Sequence, residues 1–256
     1  MSAPSGVIDL SGTRPVPFPR LVRVELRKMR DTRSGFWLLT VIGVVTLAVV
    51  LLLVFAGGPE DHTFENFFAA TATPQGFLLP VLGILLVTGE WGQRATLTTF
   101  TLVPQRGRVL AAKVAAAILF GLAAVVVALV FSALAALVSG ASDPWGSFGA
   151  LDIGNLTLLL TLGVLQGVAF GLLFLNSAAA IVAYFVLPIA FSIVTAAVGS
   201  LAAARPWVEP GSAHAPLVSG DALSSLQWAH LATTTLLWIV VPMAVGVWRV
   251  LRAEVK

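Results

Sequence analysis

Five long stretches of the sequence contain no Asp, Glu, Lys or Arg, and they constrain the fold more than any other feature. They run over residues 34–59, 66–89, 114–142, 153–204 and 222–248. A helix needs roughly 20 apolar residues to cross the hydrocarbon core of a bilayer. Four of the stretches therefore suit one crossing each, and the 52 residues of 153–204 suit two. The sequence thus predicts six transmembrane helices.

The break inside the longest stretch is expected at Asn176-Ser177, because both side chains can satisfy the backbone of a turn. The predicted spans are about 36–56, 71–90, 112–138, 154–175, 178–203 and 229–248. Only 11% of the residues are charged and 58% are hydrophobic, whereas a soluble domain carries roughly a quarter charged residues. We therefore expect an all-α integral membrane protein that crosses the cell membrane several times.

The distribution of charge predicts how the helices are oriented. If the N-terminus lies inside, every Lys and Arg except Arg205 falls on the inner side. Many of the acidic residues fall on the outer side instead, namely Glu60, Asp61, Glu65, Asp143, Asp152, Glu209 and Asp221. Because cytoplasmic loops carry an excess of Lys and Arg, both termini are expected to be cytoplasmic.

The first residues of the chain differ from the rest in composition. Residues 1–19 are rich in Ser, Gly and Pro and are expected to form a disordered tail. They do not resemble a signal peptide, because no apolar run follows within the first thirty residues. Residues 20–256 are then expected to form a single transmembrane domain.

Residues 20–34 predict an amphipathic helix in the inner interface of the membrane. Its cations recur at steps of three and four and share one face, namely Arg20, Arg23, Arg27 and Arg30. Glu25 departs from the pattern because it falls on the apolar side. It either reaches water or pairs with Lys28 three residues further on, or it pairs with a cation of the next cytoplasmic loop, such as Arg108 or Lys113. The sequence leaves both alternatives open.

The second cytoplasmic segment begins where Glu90 ends the second span. It continues as Arg94-Ala-Thr-Leu-Thr-Thr-Phe, then Pro-Gln-Arg-Gly-Arg over 104–108, and reaches Lys113. The polar stretch is long enough for a short helix in the membrane plane that stops near Pro104. On physical grounds alone, an ordinary positively charged loop remains an equal alternative.

This segment, the basic amphipathic helix and the six spans together resemble the membrane subunit of ABC type-2 export permeases. The resemblance covers nearly the whole chain from Arg20. It implies that Gly92–Pro104 is a coupling helix that docks on a separate ATPase subunit. The residues implied to face that partner are Glu90, Arg94, Thr96, Thr98, Thr99 and Thr101. The amphipathic helix that carries Glu25 and Lys28 would be the family's elbow helix.

The resemblance also implies the cofactors and partners. No Gly-x-x-x-x-Gly-Lys-Ser/Thr sequence is present, so the chain lacks the loop that cradles nucleotide phosphates. The chain is therefore not expected to be an enzyme, and ATP and Mg would bind to two copies of the partner ATPase. A second permease copy, or a related permease, would complete the translocation path among membrane lipids. The net charge of +3 is too small to suggest a nucleic acid partner.

The fourth span carries Gly163, Gly167 and Gly171 at steps of four. Small residues at this spacing let helices approach closely, so we expect a packing face, with a lining of the substrate path as the alternative. Gln166 is strongly polar and lies beside this face. It is expected to hydrogen-bond a neighbouring helix or to contact substrate.

Three function classes remain after these observations. The charge-free stretches predict that no ionisable side chain is buried in a span, which disfavours a carrier coupled to protons or ions and suggests an amphiphilic or hydrophobic substrate. An exporter permease is the leading interpretation. A membrane scaffold or sensor is the alternative. An intramembrane enzyme is disfavoured, because no Gly-x-Ser-x-Gly, no His-Glu-x-x-His, no acid pair in a span and no cysteine is present.

Overall fold

The computed structural model describes residues 16–92, 105–140, 145–146 and 148–252. Within these ranges the chain forms helices and turns and contains no strand. The α-helices are α1 Phe18–Asp31, α2 Arg33–Ala56, α3 Phe64–Gly92, α4 Arg106–Val138, α5 Ala150–Phe174, α6 Ser177–Ala197, α7 Arg205–Val208, α8 Pro210–Val218 and α9 Ser225–Arg252. Short 3₁₀ turns occupy Pro59–Asp61 and Gly199–Ala204, and a π-helical turn interrupts α9 at Leu236–Val240.

Six of the described helices, α2 to α6 and α9, are long and apolar enough to cross a membrane. This result confirms the predicted number of long apolar helices, which is the number expected of a membrane protein that crosses the bilayer six times. The observed helices extend beyond the charge-free stretches at several ends. Helix α3, for example, begins at Phe64, and α4 begins at Arg106, because charged residues in a first or last turn can point away from the apolar region.

The long apolar stretch is divided at the predicted position. Helix α5 ends at Phe174, and Leu175 adopts a left-handed conformation with φ of 53°. Asn176 then caps α6, since its side-chain oxygen accepts a hydrogen bond from the backbone N–H of Ala179 at 3.0 Å. Two spanning helices are therefore joined by a minimal connection.

Helix α5 lies at the centre of the bundle and packs against α3, α4, α6, α8 and α9. Its closest neighbour is α3, because glycines remove side chains from both surfaces. A Cβ atom on Gly167 would lie 2.1 Å from the carbonyl oxygen of Pro80, and one on Gly83 would lie 2.6 Å from that of Val164. The two helices therefore contact each other backbone to backbone.

Helix α1 packs against α4 and α2 at one end of the bundle, which we call the α1 end. The described Lys and Arg residues lie on α1 or at the α1 ends of the spanning helices, with the exception of Arg205. The buried face of α1 consists of Leu21, Glu25 and Met29, which recur every four residues. The amphipathic pattern therefore directs one face of α1 onto the other helices.

At the opposite end, α7 and α8 fold back against α9. Trp238 Nε1 donates a hydrogen bond to the carbonyl oxygen of Val208 at 2.7 Å, and the Thr234 hydroxyl donates to that of Trp207 at 3.3 Å. Trp238 lies thirteen residues after Ser225, which corresponds to about 20 Å along a helix. The segment between α6 and α9 thus reaches the middle of the bundle.

Candidate functional site

Four ionisable side chains meet at the α1 end and form the ion cluster Glu25, Lys28, Glu90 and Lys113. Lys113 Nζ donates a hydrogen bond to Glu25 Oε2 at 2.7 Å and lies 3.3 Å from Glu90 Oε1. Lys28 Nζ donates to Glu25 Oε1 at 2.8 Å and also to Glu90 Oε1. Each ammonium therefore contacts both carboxylates, and the four charges sum to zero.

Each member of the ion cluster is placed by the helix that carries it. Glu25 belongs to the buried face of α1, and Lys28 follows one turn later at the edge of that face. Glu90 lies in the last turn of α3, and Lys113 lies in the third turn of α4. Lys113 Nζ also donates to the carbonyl oxygen of Leu86 at 3.0 Å, one turn before Glu90. The cluster therefore joins three helices.

The ion cluster is largely removed from solvent. Glu25 and Lys113 are each 3% exposed and Glu90 is 9% exposed. Charges buried in this way require close partners, because transferring an isolated ion out of water is costly. Burial by itself lowers the pKa of the Lys28 ammonium, but Glu25 and Glu90 together outweigh it and hold that pKa above its ordinary value. The cluster is therefore a set of compensated charges.

The sequence left two alternatives open for the partner of Glu25, and the structure combines them. Glu25 pairs with Lys28 on its own helix and with Lys113 on α4. Arg108, the other candidate cation, instead donates a hydrogen bond to Gln105 Oε1 at 3.1 Å. The pairing of Glu90 with these lysines was not predicted, although two acids and two lysines at neighbouring helix ends were the available signal.

One expectation about burial was wrong. The charge-free stretches predicted that no ionisable side chain would be buried in a span. Glu90 and Lys113 are nevertheless buried within α3 and α4. The stretches ended at these residues, whereas the helices continue past them, and α1 covers the helix ends that would otherwise face solvent.

The residues predicted for the elbow and coupling segments do not all lie together in the structure. Arg20, Arg23 and Arg27 are exposed on α1. Glu90 directs its carboxylate into the ion cluster. The remaining predicted coupling residues lie outside the described part of the chain, and they are Arg94, Thr96, Thr98, Thr99 and Thr101.

The predicted glycine face of α5 lies against α3. A Cβ atom on Gly171 would lie 3.1 Å from the carbonyl oxygen of Ile84, and one on Gly163 would lie 3.5 Å from Pro80 Cγ. Gln166 is 4% exposed, yet its side chain makes no hydrogen bond to any described residue. The expected bond from Gln166 to a neighbouring helix is therefore not found in the described part of the chain.

Two further contacts hold the α1 end together. The hydroxyl groups of Thr88 on α3 and Ser177 on α6 lie 2.7 Å apart. Arg106 at the start of α4 donates to the carbonyl oxygen of Val250 on α9 at 3.0 Å. The α1 ends of α3, α4, α6 and α9 are thus each hydrogen-bonded to a neighbouring helix.

The ion cluster contains two carboxylates and two ammonium groups, which are held together by charge pairing. Across the described ranges, no group of three or more His, Cys, Asp or Glu residues could hold a metal ion.

No protein-family model matches the chain, and no curated protein matches it.

Proposed function

We propose that the chain is the permease subunit of an ATP-driven exporter, in which a separate ATPase subunit hydrolyses ATP. The observation that supports this proposal is the ion cluster. Residues 93–104 connect α3 to α4, and Glu90 and Lys113 stand on the two helices on either side of that connection. Glu25 and Lys28 join both helices to α1. A partner that displaces the connection would therefore also displace α1.

The strength of these contacts makes the three helix ends move together. Removing one partner from a buried ion pair costs about 3–5 kcal/mol, so a displacement that separates Glu25 from Lys113 is strongly resisted. Helix α3 also contacts α5 backbone to backbone at Gly83 and Gly167. A movement that begins at 93–104 is thus carried to the centre of the bundle, where alternating access would change the shape of a path.

The distribution of charge supports the proposed orientation of the chain in the membrane. The concentration of Lys and Arg at the α1 end supports a cytoplasmic position for that end and for both termini. The exposed Arg20, Arg23 and Arg27 would then lie near anionic headgroups of the inner leaflet, with α1 in the interface. A cell membrane location, a second permease copy and an amphiphilic substrate belong to the same proposal.

The proposal is tested by gentle purification from membranes, sequencing of any co-purified protein, and an ATPase assay. A co-purified protein that carries a phosphate-binding loop and hydrolyses ATP is expected. Replacing Arg94 and Thr98 together by Ala should release it, whereas Arg30→Ala on the exposed face of α1 should not. A chain that purifies alone and stimulates no ATP hydrolysis would contradict the exporter proposal and favour a scaffold or sensor.

A further inference from the structure

A cavity opens at the end of the bundle opposite α1 and extends toward its middle. Its volume is about 610 Å³, and α3, α5, α6 and α8 contribute its walls. Pockets of 300–1,000 Å³ are typical of sites for small organic molecules. Lining residues on α3 run from Glu65 to Phe77, a distance of about 18 Å along the helix. The cavity is therefore long as well as large.

The walls of the cavity are mainly aromatic and aliphatic. Five aromatic side chains line it, namely Phe68, Phe148, Phe77, Tyr184 and Phe185. Phe77 is 62% exposed, so the lining also reaches the outer surface of the bundle. The Tyr184 hydroxyl makes no hydrogen bond to any described residue. A polar group of a ligand could therefore bond to it without displacing a protein partner.

The charged residues of the lining have one sign and stand at the opening. Glu65 lies in the first turn of α3, and Asp152 lies in the first turn of α5. Among the described residues that line the cavity, none is Lys, Arg or His. Asp152 is held in place, because its Oδ2 atom accepts a hydrogen bond from the backbone N–H of Gly149 at 2.7 Å. Gly220, with φ of +75°, packs against the other carboxylate oxygen.

We propose that this cavity binds amphiphilic organic cations, with the apolar part of the ligand among the aromatic rings and its positive charge beside Glu65 and Asp152. The negative charge of the two carboxylates favours cations over anions of equal size. Aromatic ring faces also attract cations, so both components of the lining favour the same ligand class. The assignment of such cations as transported substrate rests on the proposed exporter function, whereas their binding does not.

The test uses tetraphenylphosphonium as the probe and tetraphenylborate, an anion of nearly the same size and shape, as its counterpart. Binding of each is measured by equilibrium dialysis against the full chain in lipid nanodiscs, with empty nanodiscs subtracted. We expect saturable binding of the cation and weaker binding of the anion. Asp152→Asn should weaken cation binding by about fivefold, the factor for an ion pair at a partly open site.

Two further variants separate the effect of charge from that of folding. The amide oxygen of Asn can still accept the hydrogen bond from the backbone N–H of Gly149, so Asp152→Asn should retain the thermal stability of the parent protein. Gly76 lines the cavity, and a Cβ atom there would have no neighbour closer than 3.9 Å. Gly76→Leu should therefore narrow the cavity and weaken saturable binding without altering charge. Asp221→Asn, at the same end but outside the lining, should bind the probe as the parent does.

Equal binding of the cation and the anion, or binding that neither Asp152→Asn nor Gly76→Leu reduces, would overturn the proposal and indicate a site for lipid chains or simple partition. The outcome is independent of the exporter proposal, because no ATPase takes part in the assay. Selective cation binding without an ATPase partner would support the proposed cation site and contradict the proposed exporter function. An ATPase partner without selective cation binding would support the exporter proposal and contradict the cavity proposal.

Discussion

The ion cluster allows a quantitative prediction about how its members depend on one another. Lys113→Met removes an ammonium that contacts Glu25 and Glu90 and is 3% exposed. Two carboxylates then remain with a single cation, Lys28, whose side chain is 33% exposed. One negative charge is left uncompensated in a buried site. The expected loss in the free energy of unfolding is about 3–5 kcal/mol.

Removing Glu25 as well should restore part of this loss. In the double variant Glu25→Gln/Lys113→Met, the remaining Lys28 and Glu90 still form a pair with zero net charge. Replacing a complete buried ion pair by neutral residues is often close to neutral in stability. We therefore expect the double variant to be more stable than the sum of the single losses predicts, by at least about 2 kcal/mol.

The assay is reversible unfolding in mixed detergent micelles, followed by the fluorescence of the seven tryptophans. Arg30 and Asp31 supply a matched control, because they form an ion pair on the same helix with side chains 72% and 57% exposed. Their double-mutant cycle should give a coupling energy below about 1 kcal/mol. Additive losses for Glu25 and Lys113, or equal coupling in the two cycles, would refute the argument that burial makes the cluster cooperative.

Three other perturbations have definite expected outcomes. Gly167→Ala should destabilise the protein by about 1–3 kcal/mol in the same assay, because its Cβ would meet the Pro80 carbonyl. Gly43→Ala is the control and should not destabilise the protein, because a Cβ atom at Gly43 would have no neighbouring atom within 4 Å. Thr46→Val should leave stability unchanged or raise it, since its buried hydroxyl has no partner among the described residues; a loss above about 1 kcal/mol would contradict this. Burial lowers the pKa of His214 from 6.5 to about 4, so stability should fall as pH decreases from 6.5 toward 4, because only the unfolded chain gains the proton there. Thermal unfolding at pH 7 and pH 5 should show this decrease, and His214→Gln should reduce it.

The spanning helices were predictable because their signals are local. The length of a stretch without charged residues indicates a membrane crossing. The cap at Asn176 requires only that its side chain accepts a hydrogen bond from the backbone N–H three residues later. The position of Glu25 on the apolar side of α1 was likewise readable from helical periodicity. These features require no knowledge of how the helices pack.

The ion cluster and the cavity could be predicted only in part, because both depend on packing. Whether Glu90 faces a loop or a buried lysine is decided by how α1 lies across α3 and α4, and no local pattern specifies that arrangement. The cavity is formed where four helices fail to fill a space between them. Its acids, Glu65 and Asp152, looked in sequence like ordinary charges at helix ends.

The π-helical turn in α9 lets a single helix match two different neighbours. Trp238 packs within the turn against the carbonyl oxygen of Val208, and Gly246 beyond it packs against Leu172 of α5. A π turn holds one residue more than a regular turn, so it rotates every later side chain by about 100°. Deleting one residue from 236–240 would therefore leave a continuous helix whose second half keeps its present face toward α5, whereas a regular helix that retained all of these residues would present the wrong face. In this protein the phase of the last helix, as much as its length, determines how its two halves fit the bundle.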